Sequence, residues 1–222
     1  MRRISLAAAL AAAFFLPFRA ASADPITVTD LRGVEVTLPA PAERLAIIPI
    51  PMASVVMALD GSTGRIAAMN PTAIQSVTEG FLGQIYPEAA DIPSDIIASG
   101  QFAPNVEAIL AHGVDAVIQW KSPTDIIAPL EAVGLPVIGL QNDPATQEIN
   151  EQNLTVLATV IGQEARLAEF LALHHARRAE IEAAVADIPE ADRPSVLYLR
   201  AQGGQTRAAG TNTYRNFWIT LA

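Results

Sequence analysis

The period of the apolar positions changes along the chain, and each change marks an element. From Ile26 to Leu38 apolar and polar residues alternate on both sides of Asp30-Leu31-Arg32-Gly33. That period of two predicts an antiparallel hairpin, with Gly33 supplying the turn. Residues 44–50 (RLAIIPI) are a short apolar run closed by Pro49 and Pro51, and 52–61 (MASVVMALDG) read as a buried helix stopped by Gly61. Residues 65–69 predict the next strand, which Asn70 and Pro71 break. The order then reverses: helix 105–112, strand 114–120, helix 124–133 with Gly134 as its stop, and strand 136–140. Nearly wholly apolar strands, joined to helices by short connections, argue for a parallel sheet covered on both faces. Residues 24–145 are therefore expected to form one α/β lobe.

Between residues 146 and 188 the strand signal disappears, and the composition is helical with Gly162 as its one interruption. A continuous helix over 163–188 would be about 39 Å long at ~1.5 Å per residue, enough to bridge two lobes. After PEADRP a strand is expected at 195–200, then a Gly-rich turn (AQGG) and a helical ending. Residues 189–222 thus read as the start of a second α/β lobe, truncated in this chain, since one strand and one helix do not make a lobe.

Charge and composition narrow the picture. Among the 222 residues, 14 Lys and Arg stand against 23 Asp and Glu, and the net charge is −9. The first 23 residues have the form of an export signal: Arg2 and Arg3, an apolar run from Ile4 to Phe18, and Ala21-Ser22-Ala23 as a cleavage site. The run is about 15 residues, short of the ~18–20 that span a bilayer, so cleavage after Ala23 is expected rather than anchoring. Loss of Arg2, Arg3 and Arg19 with that leader makes the charge still more negative, which excludes non-specific binding to nucleic acid. The chain has no cysteine. Disulfides, thiolate metal sites, cysteine nucleophiles and a cysteine-linked lipid are excluded with it.

Catalytic and metal chemistry find little purchase. His174 and His175 are neighbours on a helix and point about 100° apart, which does not suit one shared ion. His112 ends another helix, and all three read as solvated. No stretch has the form of a phosphate-cradling loop, a nucleophile elbow or a zincin helix, and AQGGQTRAAG lacks both GxGxxG and the Walker lysine.

Three stretches carry a resemblance: VTDLRGVEVTLPAPAERLAIIP near the mature start, PNVEAILAHGVDAVIQW in the middle and AGTNTYRNFWITLA at the end. The chain resembles the class III substrate-binding proteins of ABC importers, which capture iron-siderophore complexes, haem or cobalamin. The middle stretch departs mildly, with Gly113, Val114 and Asp115 where the family usually has Pro-Asp before the strand. The family also continues for roughly a hundred residues more. The resemblance implies two Rossmann-like lobes joined by a single long helix, a periplasmic monomer without a cofactor, a metal chelate as ligand and an inner-membrane permease as partner. It also implies that Glu107, at the start of its helix, docks on permease arginines; by itself the sequence favours a carboxylate that complements the helix dipole.

In open parallel sheets ligands bind beyond the carboxyl ends of the strands. Trp120 ends such a strand, as a cover for a bulky ligand or as a core ring under a loop. The same rule marks Ile50, Pro51 and Met52 after one strand, and Asn70 and Pro71 after the next. The resemblance adds Gln101 and Phe102 as a ligand-facing loop. On the second-lobe side Tyr198, Arg200, Tyr214 and Arg215 are candidates: arginine for an anionic chelate, tyrosine for haem iron, with Arg200 preferred and ordinary ion pairing as the alternative. The expected function is periplasmic capture of an iron(III) siderophore for import. Haem, cobalamin or oxyanion binding, or an exported α/β enzyme such as a chelatase, are the alternatives.

Overall fold

The computed structural model describes residues 24–100, 102–122, 124–142, 146–208, 210 and 214–221. β1 (Ile26–Thr29) and β2 (Glu35–Leu38) form the expected antiparallel hairpin, Ile26 opposite Leu38, with Gly33 in its turn at φ 79°. β3 (Leu45–Ile47) leads through Pro49 and Pro51 into α1 (Met52–Asp60), which Gly61 ends in the left-handed conformation. β4 (Ile66–Met69) follows, then α2 (Pro71–Thr78), α3 (Leu82–Ile85), and the short antiparallel pair β5 (Ile97–Ser99) and β6 (Ala103–Pro104). α4 (Val106–Ala111), β7 (Ala116–Trp120), α5 (Thr124–Ala132) and β8 (Val137–Leu140) complete the lobe's alternation. The four strands β4-β3-β7-β8 form one sheet, parallel throughout.

Alternation within these strands sorts the core into two layers. Leu45, Ile47, Ile118, Ile138 and Leu140 face one layer, with the apolar faces of α1 and α2. Ala46, Ile48, Val117 and Val137 face the other, with Ile109 of α4 and Ile127 and Leu130 of α5. The first layer does not stop at residue 145. α6 (Gln147–Ile161) buries Val156, Leu157, Val160 and Ile161 in it, and α7 (Glu164–Val185) adds Leu167. Gly162, at φ 66°, caps α6 at the expected interruption, and the helix expected over 163–188 is α7, its 22 residues spanning about 33 Å at ~1.5 Å each.

The hairpin is tied to the outer strand of this sheet by a charged turn. Asp30, almost fully buried, accepts hydrogen bonds from the backbone N–H groups of Arg32, Val34 and Gly139 and from Arg32 Nε. Arg32 also donates to Glu131 and to the carbonyl of Val137. Burial pulls the Arg32 pKa down, but the bonds to Glu131 and Asp30 outweigh it and hold it above its ordinary value.

Beyond α7 the pattern differs from expectation. Residues 195–198 are not strand; β9 (Leu199–Gln202) and β10 (Gln205–Ala208) form an antiparallel hairpin turned by Gly203 and Gly204. α8 (Tyr214–Leu221) follows. Phe217 lies under the Arg178 guanidinium of α7, 5.0 Å from it, and Trp218 meets His174 edge to face at 5.8 Å. Among the described residues no helix is long and apolar enough to cross a membrane.

Candidate ligand-binding cleft

A cleft of about 420 Å³ opens beyond the carboxyl ends of β3, β7 and β8. Pro51, Met52 and Val55 line it from the start of α1, Trp120 from the end of β7, Gln141 and Asn142 from just after β8, and Asn150, Asn153 and Leu154 from α6. Each strand end delivers its residues here because parallel strands share a direction, so one rim of the sheet collects every βα connection. Pro51 is the N-cap of α1, whose first turn brings Met52 and Val55 to the rim.

Trp120 is held rather than merely placed. Gln119, 2% exposed, accepts from the Trp120 backbone N–H with its side-chain oxygen and donates to the carbonyl of Phe102. The opposite wall is locked as firmly. Asn153 accepts from the Gln141 N–H at 2.9 Å and donates to the Gln141 carbonyl at 2.6 Å, clamping the end of β8 to α6. Lys121 donates to the Gln141 side-chain oxygen and to the carbonyl of Leu31. Among the described residues the lining includes no charged side chain.

The sequence-predicted residues divide. Pro51, Met52 and Trp120 come together in this cleft. Ile50 instead packs against the core layer shared with α1. Asn70 is fully buried: its side chain donates to the Ile48 carbonyl and accepts from Thr72 N–H, so it caps α2 rather than facing a ligand. Phe102 packs against the other core layer, with α4 and α5. Gln101 lies outside the described residues, and Tyr214 opens α8. Arg200 stands on the exposed hairpin opposite Arg207. Arg215 and Tyr198 meet each other, guanidinium over ring at 4.9 Å. Glu107 is exposed in the first turn of α4, whose cap is Asn105.

Val55, Gln141, Asn142, Asn150, Asn153 and Leu154 were not anticipated. Following β8 to its end by the rule that found Trp120 would have found Gln141 and Asn142. Asn150 and Asn153 carry only a spacing of three on a helix, which a solvated face shares.

The histidines are partnered rather than simply solvated. His112 meets Asp95 at 2.6 Å and lowers the Asp95 pKa. His175 meets Glu151 at 2.9 Å, and His174 meets the amide of Gln147. The His175 bond, with a second from Gln147, holds Glu151 below its ordinary pKa. Among the described residues no group of three or more histidines and acids is arranged to hold a metal ion. A second cavity, about 700 Å³, lies between residues 190–196 and α8, away from the strand ends.

A covered parallel sheet with a cleft at its carboxyl rim is the architecture of an open α/β lobe. The profile of the periplasmic binding protein family matches residues 62–222, and the chain belongs to that family. No curated protein sequence matches it. A periplasmic solute binding protein from Veillonella parvula is similar, with TM-score 0.75 and 23% identity over 89% of this chain and 58% of that one. The molybdate-bound periplasmic binding protein MolA of Haemophilus influenzae aligns with TM-score 0.65 and 16% identity, over 76% of this chain and 56% of its own. The siderophore binding protein BauB, bound to ferric iron and two acinetobactin molecules, aligns with TM-score 0.65 and 15% identity, over 89% and 66%. The chain therefore spans less than two thirds of the length of each.

Proposed function

We propose that the chain serves as the substrate-binding component of an ABC importer, in the periplasm after removal of a leader ending at Ala23, and that it captures an iron(III) chelate of siderophore type for a membrane permease. The cleft carries this reading. Its volume is that of a small-molecule site, and its lining joins an indole and aliphatic side chains to neutral amides. Such a surface suits the organic periphery of a chelate. A small bare oxyanion gains most from charged donors, and the described residues of this wall offer none. An enzyme would need a nucleophile and a base within reach of each other, and no described lining residue is of either kind.

In this proposal Trp120, Pro51 and Met52 contact the ligand from the first lobe. Arg200 and Tyr214 supply the second side on the strength of the family resemblance. Exposed Glu107 docks on arginines of the permease, and α7 is the stiff connection between lobes.

The test is tryptophan fluorescence of the full-length protein titrated with a ferric catecholate, a ferric hydroxamate, haem and cobalamin. Saturable quenching by one iron chelate is expected, weakened at least about tenfold by Trp120→Ala, as loss of ring stacking and buried ring area requires. Response to haem or cobalamin alone would replace the siderophore with that ligand. No response to any of the four, in a folded protein, would overturn the proposal.

A further inference from the structure

The wall of the cleft opposite α1 has a fixed hydrogen-bond polarity. An ammonium group has three donors and no acceptor, so the Gln141 atom that Lys121 Nζ meets must be the amide oxygen. Lys121 is itself held by the carbonyl of Leu31 in the β1–β2 turn. The Gln141 main chain cannot shift to compensate, because Asn153 grips both its N–H and its carbonyl. The amide nitrogen of Gln141 then keeps both of its N–H groups to offer, and no described residue hydrogen-bonds to it. A cation on the oxygen also polarises the amide and makes its N–H groups stronger donors.

We propose that Lys121 is a positioning residue that fixes Gln141 as a donor, so that the cleft selects a chelate presenting an anionic oxygen, of the catecholate, hydroxamate or carboxylate kind, beside Trp120. This rests on the binding reading above. Gln141 and Trp120 share the cleft, so one ligand meets both. The charge of Lys121 reaches the ligand through the amide, although no described residue of the lining is charged.

The experiment uses full-length protein and equilibrium dialysis against two probes, a ferric tris-catecholate and haemin, with iron counted on each side. Lys121→Met frees the amide to turn and is expected to weaken binding of the probe that the wild type prefers by about tenfold. Lys121→Arg keeps a donor on the oxygen and is expected to bind as the wild type does. Gln141→Glu keeps the partner of Lys121 but presents only acceptors, and is expected to weaken binding by more than Lys121→Met. Thermal melting of each variant checks that it is folded. A wild type that binds, with Lys121→Met and Gln141→Glu unchanged, overturns the donor assignment and leaves the binding reading intact. Equal losses in Lys121→Met and Lys121→Arg also overturn it. A wild type that binds neither probe overturns the anionic-chelate reading and the inference with it.

Discussion

Arg32 lies across β8 where a side chain would otherwise stand. A Cβ added at Gly139 would come within 2.7 Å of Arg32 Cγ and Cδ and 2.6 Å of Nε. Arginine is flexible, but this one is pinned by Asp30, Glu131 and the Val137 carbonyl, so it cannot swing away cheaply. Gly139→Ala is therefore expected to destabilise the protein by about 1–3 kcal/mol, the usual cost of an added methyl in a tight site. Urea denaturation measures it, and an unchanged midpoint would mean that the Arg32 network has slack. The hairpin itself was legible, because Asp30-Leu31-Arg32-Gly33 interrupts a clear alternation. Its attachment to β8 was not, since Asp30 and Gly139 are 109 residues apart and no local pattern joins them. The same holds at the cleft. Trp120 and Pro51 could be found from strand ends alone, whereas Asn153 acts through a contact that exists only once α6 has folded back on β8.

At the scale of elements, the sequence signals were sound where apolar period governed and weak where polar groups did. Asn70-Pro71 reads as a break after β4, yet Asn at the N-cap and Pro at the first helical position are also a helix start, and α2 begins there. β10 is exposed along its length, as are Leu199, Arg200 and Ala201 of β9, so burial imposes no alternation on them. The joint between α6 and α7 is likewise made by polar groups. Glu151 of α6 accepts from Gln147 on its own helix and pairs with His175 of α7. Its folded pKa lies below the ordinary 4.5, so its ionised form is favoured by folding. The stabilisation is complete above that ordinary value and is lost as pH falls through the depressed one. Glu151→Gln mimics the protonated acid, so its stability deficit against the wild type should be present at neutral pH and close as the pH is lowered below 4.5. Urea midpoints across that range measure it; a deficit that stays constant would show that the carboxylate charge contributes nothing to the joint.

At the scale of the molecule, buried apolar residues mark where folding free energy is concentrated. Both core layers draw on residues between Val28 and Leu167, and even their partly buried fringe ends at Leu171. Between α7 and β9 the large apolar side chains are open: Leu197 is 72% exposed, Val196 58% and, at the start of β9, Leu199 52%. Among the described residues α8 meets α7 through ring contacts, the Trp218 edge on His174 and the Phe217 face on Arg178, each worth about 0.5–1.5 kcal/mol. The first lobe with α6 and α7 should therefore be a folding unit in its own right. A polypeptide of residues 24–188 is expected to unfold in one cooperative transition, with a midpoint within a few degrees of that of 24–222, since a change of ~1 kcal/mol moves a domain of this size by about 2–4 °C. It should also bind less of a hydrophobic dye, because the open strip at 196–199 is gone. Circular dichroism melting and dye fluorescence on the two polypeptides decide the matter. Loss of the cooperative transition in 24–188 would mean that β9, β10 and α8 hold the lobe together, and that the division of the chain at α7 does not correspond to a division of its stability.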